Sequence, residues 1–155
     1  MKKRIITKST EIESIINKCE VCYVSMVDKD NMPYVVPFNF GYKDNYIYLH
    51  SAKEGKKLNI LKNNANVCIA FSTDHKLAFQ NENVACSYGM KFRSVLIYGK
   101  AEFIEEYNEK VNVMNIIMSH YTSHEFTYSE PAVKNVETFK VAITEITGKE
   151  YGYSS

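Results

Sequence analysis

Met90–Ile104 (MKFRSVLIYGKAEFI) is the longest stretch of β-forming residues in this chain, and Gly99 interrupts it. A glycine inside a strand marks a bulge or a close approach of backbones, so this strand can bend at Gly99 and serve two faces of a barrel. Shorter alternating runs repeat the pattern at Val21–Val27, Tyr34–Phe40, Tyr46–His50, Ala65–Thr73 and Phe139–Ile146. Turn clusters such as Asp28-Lys29-Asp30-Asn31 and Lys43-Asp44-Asn45 separate several of them. Short strands joined by tight turns favour an antiparallel barrel over an open parallel sheet. The expectation is therefore a mainly β (α+β) fold of six antiparallel strands with flanking helices, in one domain spanning 1–155.

Helical periodicity appears at the margins. Thr10 and Glu13 form a capping-box pattern ahead of Ile12, Ile15 and Ile16, and the helix ends near Cys19. Leu58 and Leu61 share a face in a short helix that begins at Lys56. Val111, Met114, Ile117 and Met118 recur at helical steps in Glu105–Tyr121. Asp74–Asn83 reads as a polar surface loop, Thr122–Glu130 as polar, Pro131 as the start of a turn or short helix, and Gly148–Ser155 as a polar tail. Pro37 stands inside an otherwise regular strand pattern. Proline cannot donate to a ladder, so that strand lies at a sheet edge or is bulged there.

Composition removes several function classes. Basic and acidic residues number 19 and 18, for a net charge of +1, and a nucleic-acid binder would show a basic excess or stripe. No apolar run approaches the ~20 residues of a membrane span. The amino terminus, MKKRIITKST, has no apolar segment behind its charges, which predicts a cytoplasmic protein. Cys19 and Cys22 have redox-motif spacing, but no second close pair supports a metal site, and Cys68 and Cys86 stand apart. Such isolated cysteines are commonly buried as small apolar groups. No glycine-rich dinucleotide fingerprint or phosphate-binding loop of the nucleotide hydrolases is present.

The stretch Tyr46–Asn63 carries the chemistry. An alternating strand ends at His50 and Ser51, a short loop brings Lys53 and Gly55, and Lys56 and Lys57 open the helix. Free backbone N–H groups at a helix start, with lysines and a hydroxyl nearby, suit a dianionic phosphate. A solvated basic loop is the alternative reading of the same residues. Charge-assisted hydrogen bonds contribute roughly 1.5–3 kcal/mol each. Three of them would reach about 5–9 kcal/mol gross, against about 8 kcal/mol for micromolar affinity.

PYVVPFNFGY (Pro33–Tyr42), YLHSAKEGKKL (Tyr48–Leu58), KFRSVLIYGKAEFIEE (Lys91–Glu106) and FKVAITEITGKE (Phe139–Glu150) together resemble the FMN-binding split-barrel family that includes pyridoxamine 5'-phosphate oxidase, and in particular its nitroimidazole-resistance branch. The resemblance implies a six-stranded Greek-key split β-barrel and a homodimer with FMN in clefts at the subunit interface. It places Val36, Pro37, Phe38 and Asn39 against the flavin ring. It puts His50 and Ser51 beside the ribityl chain and phosphate, with Lys56 and Lys57 on the phosphate. Arg93 and Ser94 match a segment that reaches the FMN of the pair, and Cys86 and Tyr88 precede it as candidate cleft walls. His50 is the candidate catalytic residue, weighed against a half-buried histidine bonded to backbone. His75, His120 and His124 are assigned no catalytic role.

Two departures separate the chain from the oxidases. Gly55 and Lys56 stand where the oxidase branch has Ser and Arg, and the Gly148–Ser155 tail lacks its substrate-binding Arg and His. The expected function is thus an FMN-dependent oxidoreductase reducing a small acceptor such as a nitroaromatic compound, with NAD(P)H or another donor. The alternatives are a non-catalytic flavin carrier or sensor, a pyridoxamine 5'-phosphate oxidase-like enzyme, and a haem-binding split barrel.

Overall fold

The computed structural model describes residues 1–154. Eight strands form one antiparallel sheet: β1 (Lys3–Ile6), β2 (Cys22–Val27), β3 (Pro33–Phe38), β4 (Gly41–Lys43), β5 (Tyr46–Ala52), β6 (Asn66–Ala78), β7 (Gly89–Ile104) and β8 (Val136–Tyr151). Four helices flank it: α1 (Ser9–Lys18), α2 (Lys56–Asn63), α3 (Tyr107–Tyr121) and α4 (Glu130–Lys134). The strand order is β3-β2-β6-β7-β8-β5-β4, with β1 added to β8. The path ends at β3 on one side and β4 on the other, so the barrel is split rather than closed. Pro37 accordingly lies on an edge strand, where its missing N–H costs no ladder bond.

The count of six strands is corrected to eight, and each addition has a physical cause. Lys3–Ile6 is too short and charged to show a pattern, and it becomes a strand by pairing with Gly148–Tyr151. That same stretch of β8, expected as tail, is sandwiched between β1 and β7. β6 continues through Asp74 and His75, expected as loop, by a register slip between Thr73 and Lys76. Asp74 takes φ 56°, a conformation that Asp tolerates better than most residues. Beyond the slip no residue of the β6–β7 hairpin is buried, so no alternation marks it.

The expected irregularity at Gly99 is present, but the extra residue is carried by the partner strand. Tyr98 pairs with Glu145 and Gly99 with Ile143, leaving Thr144 over. The Thr144 hydroxyl donates to the Tyr98 carbonyl at 2.9 Å. A Cβ on Gly99 would meet the Ala142 carbonyl oxygen at 2.3 Å, which is why glycine stands there.

Phe40, Phe71, Phe139, Ile47, Leu49, Ile69 and Ile97 fill the barrel interior. α1 buries Ile12, Ile15 and Ile16 as expected, but its cap is Lys8 and makes no side-chain bond. Glu13, the other half of the expected capping box, accepts instead from the Tyr42 hydroxyl at 3.1 Å. α3 turns Lys110, Val113, Ile116 and Ile117 inward and leaves Met114 and Met118 half-buried, a rotation of the expected face. The Glu106 carboxylate caps α3 by accepting from the N–H groups of Asn108 and Glu109. Among the described residues no helix is long and apolar enough to cross a membrane.

Candidate functional site

The opening of the barrel lies beside β3, and the N-terminal end of α2 reaches toward it. The Lys56 ammonium sits 4.7 Å from the centre of the Tyr34 ring, and the Lys57 ammonium 5.4 Å from that of Phe38. Both contacts are of the cation–π kind, and they bring two positive charges to the edge of β3. Gly55 precedes α2 at φ 136°, a backbone state open to glycine and strained for other residues. No side chain caps this helix and its first turn contains no acidic residue. The Gly55 carbonyl accepts from Leu58 and Asn59. The earlier N–H groups of Lys56 and Lys57 thus belong to the set a helix start leaves for a ligand or water.

His50 lies on β5 opposite Thr138. Its Nδ1 is shielded from solvent and is the one buried side-chain polar atom without a hydrogen-bond partner among the described residues. Burial, and secondarily the charge of Lys57, lower its pKa, so the imidazole is neutral at physiological pH. The neutral ring near Lys57 thus keeps one nitrogen whose hydrogen-bonding capacity the chain itself leaves unused. The alternative of a histidine satisfied by backbone through that atom does not hold. Ser51 is oppositely placed: it points into the interior, and its hydroxyl donates to the Ala52 carbonyl at 2.9 Å.

Of the β3 residues, Val36 and Phe38 face the interior side, where Phe38 packs edge-on against Phe139 at 5.8 Å. Pro37 points outward opposite Tyr23, and Asn39 is exposed. Within one chain, then, Lys56 and Lys57 meet β3, and His50, on the opposite face of β5 from Ser51, is linked to them through the charge of Lys57.

Arg93 and Ser94 do not join them. Adjacent residues on a strand face opposite sides of a sheet, so the two cannot address the same ligand face. The Arg93 guanidinium lies on the α1 side, donating to Asp74 at 2.8 Å and Glu150 at 2.6 Å, with the Tyr153 ring 4.1 Å away. Glu150 also accepts from Arg4 at 3.1 Å, and Lys18 pairs with Asp74 at 3.2 Å. A cavity of about 380 Å³ between α1 and these residues is lined by charges already paired with one another. Ser94 lies on the outer face, opposite Ser72 and Lys149.

Cys86 and Tyr88 sit at the far hairpin, where Tyr88 stacks on Phe79 at 4.7 Å. Cys19 and Cys22 are buried, and burial pushes the Cys22 thiol up to about 12. The Cys19 thiol donates to the Ile15 carbonyl at 3.3 Å. Protonated, carbonyl-bonded thiols are structural rather than reactive. Sequence reasoning missed Tyr34, whose even spacing from Val36 and Phe38 is the signal that puts it on the same face.

The model of the pyridoxamine 5'-phosphate oxidase family matches residues 8–150. A solved structure of a candidate 5-nitroimidazole antibiotic resistance protein from Bacteroides thetaiotaomicron is 47% identical over 96% of this chain and 87% of that one, with a TM-score of 0.87. A flavocytochrome of Azotobacter vinelandii (18% identity, 96% of this chain and 69% of that one, TM-score 0.81) shares the fold. So does an FAD- and haem-binding protein of Mycobacterium smegmatis (14% identity, 98% and 74%, TM-score 0.82). The search of curated proteins returned no match. A family match over almost the whole length, a split antiparallel barrel and a close structural relative in the nitroimidazole-resistance branch together establish that the chain belongs to the pyridoxamine 5'-phosphate oxidase family of split barrels.

Proposed function

We propose that this protein is a homodimeric, cytoplasmic FMN-binding oxidoreductase that reduces a small acceptor such as a nitroaromatic compound. The observation that carries the reading is the convergence of Lys56, Lys57 and the uncapped start of α2 at the open edge of β3, with His50 within reach of the Lys57 charge. Two lysines and free N–H groups complement the charge of a phosphate monoester. Val36, Pro37, Phe38 and Asn39 offer the ring an edge whose backbone is not wholly committed to a ladder, and Ser51 would reach the phosphate by releasing its bond to the Ala52 carbonyl. FMN fits this arrangement because the cationic groups form one compact cluster, suited to a single terminal phosphate. When bound, the flavin supplies the electron transfer, and the chain supplies binding, orientation and electrostatics. His50, neutral and half-buried, would hold a hydrogen bond to the ligand or the acceptor through the nitrogen that has no partner in the chain.

The outer face of the sheet supports the dimer. Val35, Tyr23, Leu96 and Tyr98 are exposed there, in two rows with Cys68 and Ala70 that cross β3, β2, β6 and β7. A second copy seated on such a face would bury it. Ser94 shares that face, so it is the member of the Arg93–Ser94 pair that would meet the flavin of the partner subunit, while Arg93 holds the charged cluster behind the sheet. Four free cysteines suit a reducing compartment. The relatives named for 5-nitroimidazole resistance and for flavin point to the acceptor and cofactor class.

The test is the visible spectrum of the purified protein, with the released cofactor identified by mass. FMN bands in the wild type and a colourless Lys56→Ala/Lys57→Ala double variant are expected. Equal flavin content in both would remove the phosphate assignment. Anaerobic mixing with NADH or NADPH, followed by a nitroaromatic compound, should bleach and then restore the flavin band. A band that no donor bleaches would instead identify a flavin carrier.

A further inference from the structure

We propose that Tyr121 and His120, at the C-terminal end of α3, are positioning residues that fix the Pro37–Asn39 backbone where it meets the flavin. The proposal rests on the FMN site described above and adds a device to it. β3 is a sheet edge: β2 holds it on one side, no strand holds it on the other, and Pro37 has no donor. A ladder therefore restrains this segment from one direction only.

α3 supplies the second restraint. The Phe40 N–H donates to the Tyr121 hydroxyl at 3.1 Å, and the same hydroxyl donates to the Glu20 carbonyl at 2.7 Å. His120 Nε2 bonds the Cys19 carbonyl at 2.6 Å, and its ring lies against the buried Phe40 ring with centroids 4.4 Å apart. Cys19 and Glu20 precede β2, whereas Phe40 follows β3, and Cys22 opposite Phe38 is the last pair of that hairpin. Both open ends of the β2–β3 hairpin are thus tied to consecutive residues of one helix. A hydroxyl that donates and accepts at once strengthens both bonds, since each polarises the other.

Asn39 and Phe40 are adjacent, so the Tyr121 bond sets the height of the backbone just where the ring would lie. The Phe40 side chain, wholly buried against Phe71 at 5.0 Å, anchors it from beneath. Small displacements of a binding backbone weaken a site that otherwise keeps all its contacts.

The experiment compares Tyr121→Phe with Tyr128→Phe in the full chain, using FMN itself as the probe. Tyr128 is a matched control, because its hydroxyl donates to Asn115 of the same helix at 3.0 Å and touches neither β2 nor β3. Tyr121→Phe is expected to raise the FMN Kd about five- to tenfold and to shift the long-wavelength flavin band, while Tyr128→Phe stays within about twofold. Wild-type affinity and spectrum in Tyr121→Phe, or equal changes in both variants, would overturn the proposal. A wild type that takes up no FMN overturns the FMN site itself, which is a separate result. Should Tyr121→Phe not fold, hydrogen exchange on the wild type decides: the Phe40 amide must be protected without FMN and slower with it, and an amide exchanging at the unprotected rate sinks the idea.

Discussion

Glu150→Gln isolates the cluster that joins the two ends of the chain. The Glu150 side chain is 5% exposed and accepts from Arg4 at 3.1 Å, Arg93 at 2.6 Å and Ser154 at 2.8 Å. Hydrogen bonds from Arg4, then from Arg93 and Ser154, overcome the opposing effect of burial and pull its carboxyl from 4.5 down to about 2. At about 1.36 kcal/mol for each tenfold change in proton affinity, that displacement is worth roughly 3 kcal/mol. Arg4 and Arg93 are 42% and 29% exposed. Water screens their share, which lowers the expected loss in Glu150→Gln to about 1.5–2 kcal/mol at pH 7.

The sign follows from the direction of the displacement. A carboxyl more acidic in the folded state contributes its full stability above the unfolded pKa and loses it as the pH falls toward the folded one. The gap between wild type and variant should therefore be constant from pH 7 to about 5 and narrow between 4.5 and 2. By pH 3 less than about half of it should remain. Urea denaturation of both proteins at pH 7, 5, 4 and 3 measures it. Equal midpoints at pH 7, or a gap that persists undiminished at pH 3, would refute the assignment of this cluster as the clamp between β1, β7 and β8.

Three other outcomes are expected. Gly99→Ala should lose about 2–3 kcal/mol, read as a fall in thermal midpoint, because the new methyl meets the Ala142 carbonyl oxygen at 2.3 Å and a Val141 methyl at 2.6 Å. His50 is less basic when folded, so wild-type stability should be at its full level above about pH 6.5 and decline below it. His50→Gln should flatten that decline in urea midpoints between pH 7 and 5. Leu96→Glu, at a residue 40% exposed in the single chain, should shift sedimentation from dimer to monomer; an unchanged dimer would place the interface elsewhere.

The architecture was legible where side chains alternate between water and a core. Val24, Met26, Ile47, Leu49, Ile69, Val95, Ile97 and Val141 are buried on the face their period assigns. Where that contrast vanishes, so does the signal. Lys3–Ile6 and the outer end of β6 are strands because a neighbour pairs with them, and pairing leaves no mark on composition. Helix faces were read less well on α3, because packing against Gly41, whose missing Cβ admits Ile116, decides its rotation.

The candidate site divides in the same way. Lys56, Lys57 and the glycine before them are local: a strand end, a turn and a helix start follow one another in the chain, so the sequence by itself determined that two lysines open this helix and the family to which the chain belongs. Tertiary structure alone decided that Tyr34 and Phe38 meet those lysines and that His50 Nδ1 has no partner. It also turned Arg93 and Ser94 to opposite faces and tied Tyr121 to Phe40. These facts depend on contacts between residues far apart in the chain, on the facing of β7 and on the docking of α3. A one-dimensional pattern records what a residue prefers, whereas the partner it finds is fixed only when the sheet curls and the helices close upon it.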